Sequence, residues 1–286
     1  MLILAAGPEA PETSELHETV NPGPLAEISL PRPGAHGIVG LRFHWTFWRT
    51  FWRTFWKDGF LGAIEELQER VIGCTRCPRL VAHCRSVAEK RRPMYREWEY
   101  WGKPLPAFGS ADARLLILGL APAAHGGNRT GRMFTGDRSG DWVFGTLHKF
   151  GFASSPDSQR RDDGLFLKDA YITAALRCAP PANKPLPEEL LNCRPYLVEE
   201  LTLLTRVRIV VALGKISFDT FLRTWSGEGH QIPSPRPRFG HGATYELPGG
   251  PILMGSYHPS QQNTQTGRLT REMFESIFAK AREILA

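Results

Sequence analysis

From residue 59 onward, hydrophobic and polar positions fall into two alternating patterns. GFLGAIEELQERVIG places Leu61, Ile64, Leu67 and Val71 near the 3.6-residue period of a helix. Four apolar, β-prone runs follow: ARLLILGL (113–120), AYITAAL (170–176), VRIVVALG (207–214) and PILMGSYH (251–258). Between them lie the helix-like stretches SGDWVFGTLHKFGF, PEELLNCRPYLVEELTLL and KISFDTFLRTW, and LTREMFESIFAKAREIL closes the chain. Strand alternating with helix predicts an α/β fold with a central, mainly parallel four-stranded sheet flanked by helices. The strands are continuous apolar runs, which suits strands buried on both faces. Ligands of such sheets bind outside the carboxyl ends of the strands. The first strand runs into GLAPAAHGGNRTG, the second into RCAPPANKP, the third into GKISF and the last into SYHPSQQNTQTGR. The polar segments, punctuated by Gly and Pro, therefore gather on one edge of the sheet.

The N-terminal part reads differently. Residues 1–40 are rich in Pro, Gly and Glu, lack periodicity and are expected to be disordered. TFWR, TFWR, TFWK then repeats at 46–57. A perfect four-residue repeat reflects duplicated DNA more readily than a folded unit, and helical geometry would spread its Phe and Trp over two exposed ridges. Alternating aromatic and basic residues could also stack on a nucleic acid. The preferred reading is an appendage, or translation from a start codon placed too far upstream. The expected division is 1–57 as an extension and 58–286 as the folded domain.

Composition narrows the class. The chain has 286 residues, 42% hydrophobic and 22% charged, which is globular and ample for a sizeable core. Residues 1–57 hold five basic residues and five Glu, so the whole net charge of +6 lies in 58–286. A basic body suggests an anionic partner such as nucleic acid, a modest signal by itself. No apolar run approaches a membrane span, and the apolar start lacks the basic flank of a signal peptide. A cytoplasmic, nucleoid-associated protein is expected. No oligomer interface is visible in the sequence, and a monomer is expected.

Five cysteines in a chain of this size are not a disulfide framework. Cys74 and Cys77 form a C-x-x-C pair, and Cys178 and Cys193 a second, wider one. Such paired thiols are metal-ligand usage and suit zinc or an iron–sulfur cluster, which spacing alone does not separate. Inert buried thiols are the plainer alternative. His258 ends the last strand, fixed by Pro259, in a loop of Ser, Gln, Asn and Thr. It can donate to a developing anion or act as acid or base. The stretch GLAPAAHGGNRTGRMFTGD (119–137) combines glycines, two Arg and one Asp just after the first strand. Asp137 could equally be the N-cap of the helical pattern that follows.

Taken together, GLAPAAHGGNRTGRMFTGD, the four spaced Cys, RCAPPANKP and SYHPSQQNTQTGR resemble the uracil-DNA glycosylase superfamily. They look most like its family 5, the type b branch with an iron–sulfur cluster. The resemblance covers roughly residues 60–285, with the motifs in the same order, and residues 1–57 fall outside it. It implies a three-layer αβα sandwich. It also implies a [4Fe–4S] cluster on Cys74, Cys77, Cys178 and Cys193, zinc being the lesser alternative and Cys84 a spare thiol. The activity it implies is hydrolysis of the bond between a flipped, deaminated base and its sugar in DNA. Asp137 would be the catalytic carboxylate that stabilises the oxocarbenium-like sugar or orients water. His258 would stabilise charge on the departing base, and Asn183 matches an Asn used in catalysis or substrate contact. Gly119, Ala121, Pro122, Ala123 and Ala174 would line the base site, with Phe134 as its stacking platform. Arg129 and Arg132 are candidates for phosphate contact, although either could pair inside the fold. The loop with Ser260, Gln261, Gln262, Asn263 and Arg268 would enter the duplex from the minor groove.

Two departures from other branches matter. Ala121 stands where better-known members have a polar residue, a trait of family 5 itself. Ala174 stands where other branches carry an Asn that reads the uracil edge. A pocket without that amide rejects other bases weakly, so uracil together with hypoxanthine, and xanthine as a further candidate, is the expected substrate range. Lys184 and Lys215 read as phosphate contacts or surface, and no lysine stands as a Schiff-base nucleophile, so an enzyme without strand cleavage is expected. The competing class is a non-catalytic iron–sulfur or zinc protein that binds nucleic acid as a sensor or scaffold, which needs neither Asp137 nor His258. An electron-transfer protein would need neither GRMFTGD nor HPSQQN.

Overall fold

The computed structural model describes residues 62–286, so the expected extension 1–57 and its TFWR repeat lie outside the described residues. The sheet has six strands: β1 (Phe108–Gly109), β2 (Leu115–Gly119), β3 (Ala170–Ala174), β4 (Ile209–Leu213), β5 (Thr244–Glu246) and β6 (Ile252–Ser256). Their order is β1-β3-β2-β4-β6-β5. The four strands read from the sequence are its parallel centre. The expectation of four strands is corrected by β1 and β5, which close the edges antiparallel to β3 and β6. At two and three residues, neither is long enough to carry a periodic signal.

The described helices are α1 (62–72), α2 (Pro78–Lys90), α3 (Gly127–Thr130), α4 (Arg138–Lys149), α5 (Pro187–Leu203), α6 (Lys215–Gly227), α7 (Gln261–Gln265) and α8 (Arg271–Leu285). The period-two alternation of the strands sorts the core into two layers. Leu115, Ile117, Ile172 and Val211 meet α4 and α8 on one face. Leu116, Leu118, Tyr171 and Val210 meet α5 and α6 on the other, with Ile64 of α1. The helices, the sheet and the helices beyond it make the three-layer αβα arrangement.

The chain leaves β2 toward β3 on one side, then returns past β2 to β4 and β6 on the other. The carboxyl ends of β2 and β4 therefore flank the point where the winding reverses, the position at which such sheets bind ligands. A third apolar cluster lies beyond this edge. It joins Leu67 and Val71 of α1, Leu80 and Cys84 of α2, Leu176 and Cys178 after β3, and Cys193 and Tyr196 of α5.

Candidate active site and thiol cluster

Gly119 and Ala174 close β2 and β3 side by side in register. A Cβ on Gly119 would sit 3.0 Å from Phe134 Cζ, so the glycine lets the aromatic ring lie against the strand end. Phe134 holds a left-handed φ of 52°, rare for a bulky side chain and a local cost of order 1–3 kcal/mol that the surrounding fold must offset. Its ring centroid lies 6.0 Å from that of His258. The loop after β2 and the loop after β6 thus meet across the end of β4, where Gly214 packs against His258.

Asp137 is the N-cap of α4, with Oδ1 accepting from Gly140 N at 2.9 Å. The helix N-terminus favours the anion, while burial raises the Asp137 pKa, opposed by the N–H groups of Gly140 and Ser139. Oδ2 faces Gly126, where a side chain would occupy the oxygen's own space. The capping and catalytic readings of Asp137 are therefore not exclusive, because one oxygen caps while the other points away. Burial lowers His258 to about 4, which keeps its imidazole neutral at pH 7, a hydrogen-bond donor without charge. Its backbone carbonyl accepts from Asn263 Nδ2 at 2.9 Å and Ser260 N at 2.8 Å. Ser139 Oγ donates to Pro259 O at 3.1 Å and ties the start of α4 to the His258 loop.

Within that loop the expected residues divide. Ser260 caps α7 and Asn263 holds the His258 carbonyl, so both side chains build the loop. Gln261 and Gln262 are exposed, and exposed Arg268 stacks 4.8 Å over the Tyr257 ring. Along the first loop, Ala121 packs against the thiol-bearing cluster, Pro122 is buried, and the Ala123 carbonyl turns the chain by accepting from Gly126 and Asn128. Asn183 is exposed in a short turn where it and Ala182 both have positive φ, and no hydrogen bond joins it to Asp137 or His258.

The assignment of Arg129 and Arg132 to phosphates is corrected. Both are 3% exposed. Arg129 donates to His125 O and Gly136 O, each at 2.8 Å, and lies 3.9 Å and 4.0 Å from the ring centres of Tyr95 and Trp98. Arg132 donates to Thr135 Oγ1, Ser158 Oγ and, at 2.6 Å, Asp163 Oδ2. Burial would raise Asp163, but Arg132 and three backbone N–H groups outweigh it and hold the carboxyl at about 2. A buried guanidinium needs such partners, and they are carbonyls, hydroxyls and a carboxylate that local sequence does not announce.

The cysteines converge from four segments. Cys193 Sγ accepts from Arg177 N at 3.3 Å, Cys77 Sγ from Asn192 Nδ2 at 3.7 Å, and Cys84 hydrogen-bonds with Cys178 and Ala179 O. Burial raises Cys77 and pushes Cys193 up to about 11, and the contact with Cys84 followed by burial raises Cys178. Among the described residues, no three His, Cys, Asp or Glu side chains are close enough to grip one ion. Arg177 is missing from the sequence reading. It is buried and ion-paired with Glu200, which also accepts from Tyr171 and Thr173, yet Nε and Nη1 have no acceptor among the described residues. The only signal for this network was a Glu placed among the apolar residues of α5.

The chain is thus an α/β protein with a doubly wound sheet and, near its switch point, a carboxyl group, a neutral imidazole and an aromatic ring. The model of the uracil DNA glycosylase superfamily matches residues 106–282. A type-5 uracil-DNA glycosylase of Mycobacterium tuberculosis is 49% identical over 227 residues, 79% of this chain and 83% of that protein. Proteins of the same name from Thermus thermophilus and Pyrobaculum aerophilum are 48% and 43% identical over 220 residues, 77% of this chain and 97% and 92% of theirs. The chain belongs to the uracil DNA glycosylase superfamily, in its type-5 branch.

Proposed function

We propose that the protein is a DNA glycosylase of DNA repair that removes uracil and leaves an abasic site. The observation that carries this reading is the grouping of Asp137, Phe134 and His258 at one end of the sheet. A base taken out of the stack rests on Phe134, between the ends of β2 and β3. Water adds across the bond from C1′ to the base: hydroxyl goes to the sugar and a proton to the base. Positive charge grows on the sugar as the bond lengthens, and the free side of the Asp137 carboxylate stabilises it or orients the water. Neutral His258 donates to the oxygen of the departing base, where negative charge grows. A preorganised donor of this kind is worth about 3–4 kcal/mol of barrier.

Ala174 presents no amide to the base edge, which favours a range that includes hypoxanthine beside uracil. Lys215 is ion-paired with Asp219, and Lys184 is exposed, which agrees with hydrolysis without strand cleavage. Exposed Gln261, Gln262 and Arg268 are the side chains available to meet the duplex.

Cys74, Cys77, Cys178 and Cys193 fit an iron–sulfur cluster. The two unpaired nitrogens of buried Arg177, beside Cys193, suit an anionic group with several sulfur acceptors. When bound, the cluster would cross-link the turn before α2, the loop after β3 and α5.

The test uses end-labelled duplexes with one uracil or one hypoxanthine, each with and without hot alkali. Breaks only after alkali support the reading. Breaks without alkali mean a lyase and a missed nucleophile. Intact DNA from iron-loaded protein favours the binding scaffold.

A further inference from the structure

Beside the candidate active site lies a second cleft, of about 790 Å³, lined by aromatic and cationic side chains. Trp98 and Trp101 are half-buried in its wall. Exposed Arg160 lies 4.6 Å over Trp98, and exposed Arg161 and Lys103 lie 4.6 Å and 5.5 Å over Trp101. Glu97, Glu99 and Asp162 share the lining, but the groups stacked on the rings are cations. Arg129 also lines the cleft and, at 3% exposure, keeps one nitrogen, Nη1, without an acceptor among the described residues.

The cleft is joined to the catalytic loop. Arg129 holds Gly136 O, one residue before Asp137, and its own carbonyl accepts from Trp101 N at 3.0 Å. Arg132 grips Asp163, whose carboxylate also takes the N–H groups of Gln159 and Arg160. Arg132 thus supports the loop that carries Arg160 and Arg161 over the tryptophans, and Arg129 holds Gly136, whose N–H donates to Ser158 O of that loop.

Exposed cations above aromatic faces are the makings of a single-strand nucleic-acid site, where bases stack and phosphates meet the charges. The volume exceeds what one nucleotide needs. We propose that this cleft binds an unpaired nucleotide of a DNA single strand, its base displacing exposed Arg160 or Arg161 from the face of Trp98 or Trp101 and its phosphates meeting the displaced guanidinium groups and Lys103. The inference rests on the reading of the protein as a DNA enzyme and adds a strand-binding subsite outside the base pocket.

The test is fluorescence anisotropy with a labelled oligo-dT strand and an abasic strand of equal length, over a series of salt concentrations. The full-length protein should bind oligo-dT about tenfold more tightly than the abasic strand, the contribution of one stacked base. Trp98→Leu/Trp101→Leu should remove that preference, and a preference kept in that variant overturns the stacking. Arg160→Ala/Arg161→Ala should lower the slope of log affinity against log salt by about 1.4, two phosphate contacts at about 0.7 each. Arg223→Ala, an exposed charge on α6, should not change it. Unchanged slope in the double variant, or equal binding of both strands, overturns the proposal. Failure to bind single strands by protein that still excises uracil from duplex DNA overturns the cleft alone. Loss of both overturns the functional reading as well.

Discussion

Gly126→Ala should disable the enzyme without unfolding it. The backbone at this residue has φ −100°, so alanine adds no left-handed strain. Its Cβ, however, would lie inside the space of Asp137 Oδ2, 2.9 Å from Asp137 Cγ and 3.2 Å from Ala123 Cβ. The carboxyl group must retreat by about 1 Å, a displacement that costs on the order of 100-fold in rate when it befalls a reacting group. The same retreat strains the Oδ1 cap on Gly140, worth about 1 kcal/mol. For a domain of this size that is a drop in Tm of about 2–4 °C. Single-turnover excision of uracil from duplex DNA reads the first effect, and thermal melting the second. Asp137→Asn, which keeps the cap acceptor, should lose rate with a smaller change in Tm. If Gly126→Ala excised uracil within threefold of the unsubstituted rate, the position assigned to the Asp137 carboxylate would be wrong.

Three further outcomes follow from the same geometry. Burial depresses His258 from 6.5 to about 4, so its stabilising contribution is complete above pH 6.5 and is lost as pH falls through 4; His258→Gln should flatten the acid side of a stability–pH curve and cost about 100- to 1,000-fold in rate. Ala174→Asn should narrow the range toward uracil by at least about tenfold in the uracil-to-hypoxanthine ratio of single-turnover rates, and an unchanged ratio would remove the argument from the missing amide. Arg132→Met leaves Asp163 without its cation and should lower stability by about 3 kcal/mol in urea titration, with protease cleavage appearing in the 158–163 loop.

What was legible in the sequence followed from repetition. The four central strands and α4, α5, α6 and α8 each recur with a period over five or more residues. Their order was enough to bring Asp137 and His258 to one edge. α2 was not read, because only Leu80 and Cys84 are buried over its 13 residues, too few to mark a face. The edge strands escaped for want of length. Phe134 could be named by resemblance, but its positive φ and its approach to Gly119 belong to tertiary packing. Cys84 reads as a spare thiol because the family pattern has no counterpart for it; its burial beside Cys178 and Ala179 belongs to tertiary packing.

The arginines show why composition misleads at this edge. A basic body with two arginines in its glycine-rich loop invites the inference that the loop grips phosphate. Arg129, Arg132 and Arg177 instead spend their charge inward, on carbonyls, Asp163 and Glu200. The consequence is chemical as well as structural. In the proposed reaction the Asp137 carboxylate faces positive charge on the sugar, a role that a salt bridge to Asp137 or a protonated His258 would weaken. Burial keeps His258 neutral, and Arg129, its hydrogen bonds taken by His125 O and Gly136 O, acts on Asp137 only through its charge, which lowers the carboxyl against the effect of burial. The proposed reaction then draws on a carboxyl group at a helix N-terminus, which favours its ionised form, and on an uncharged donor, the pair that suits opposite charges growing on sugar and base.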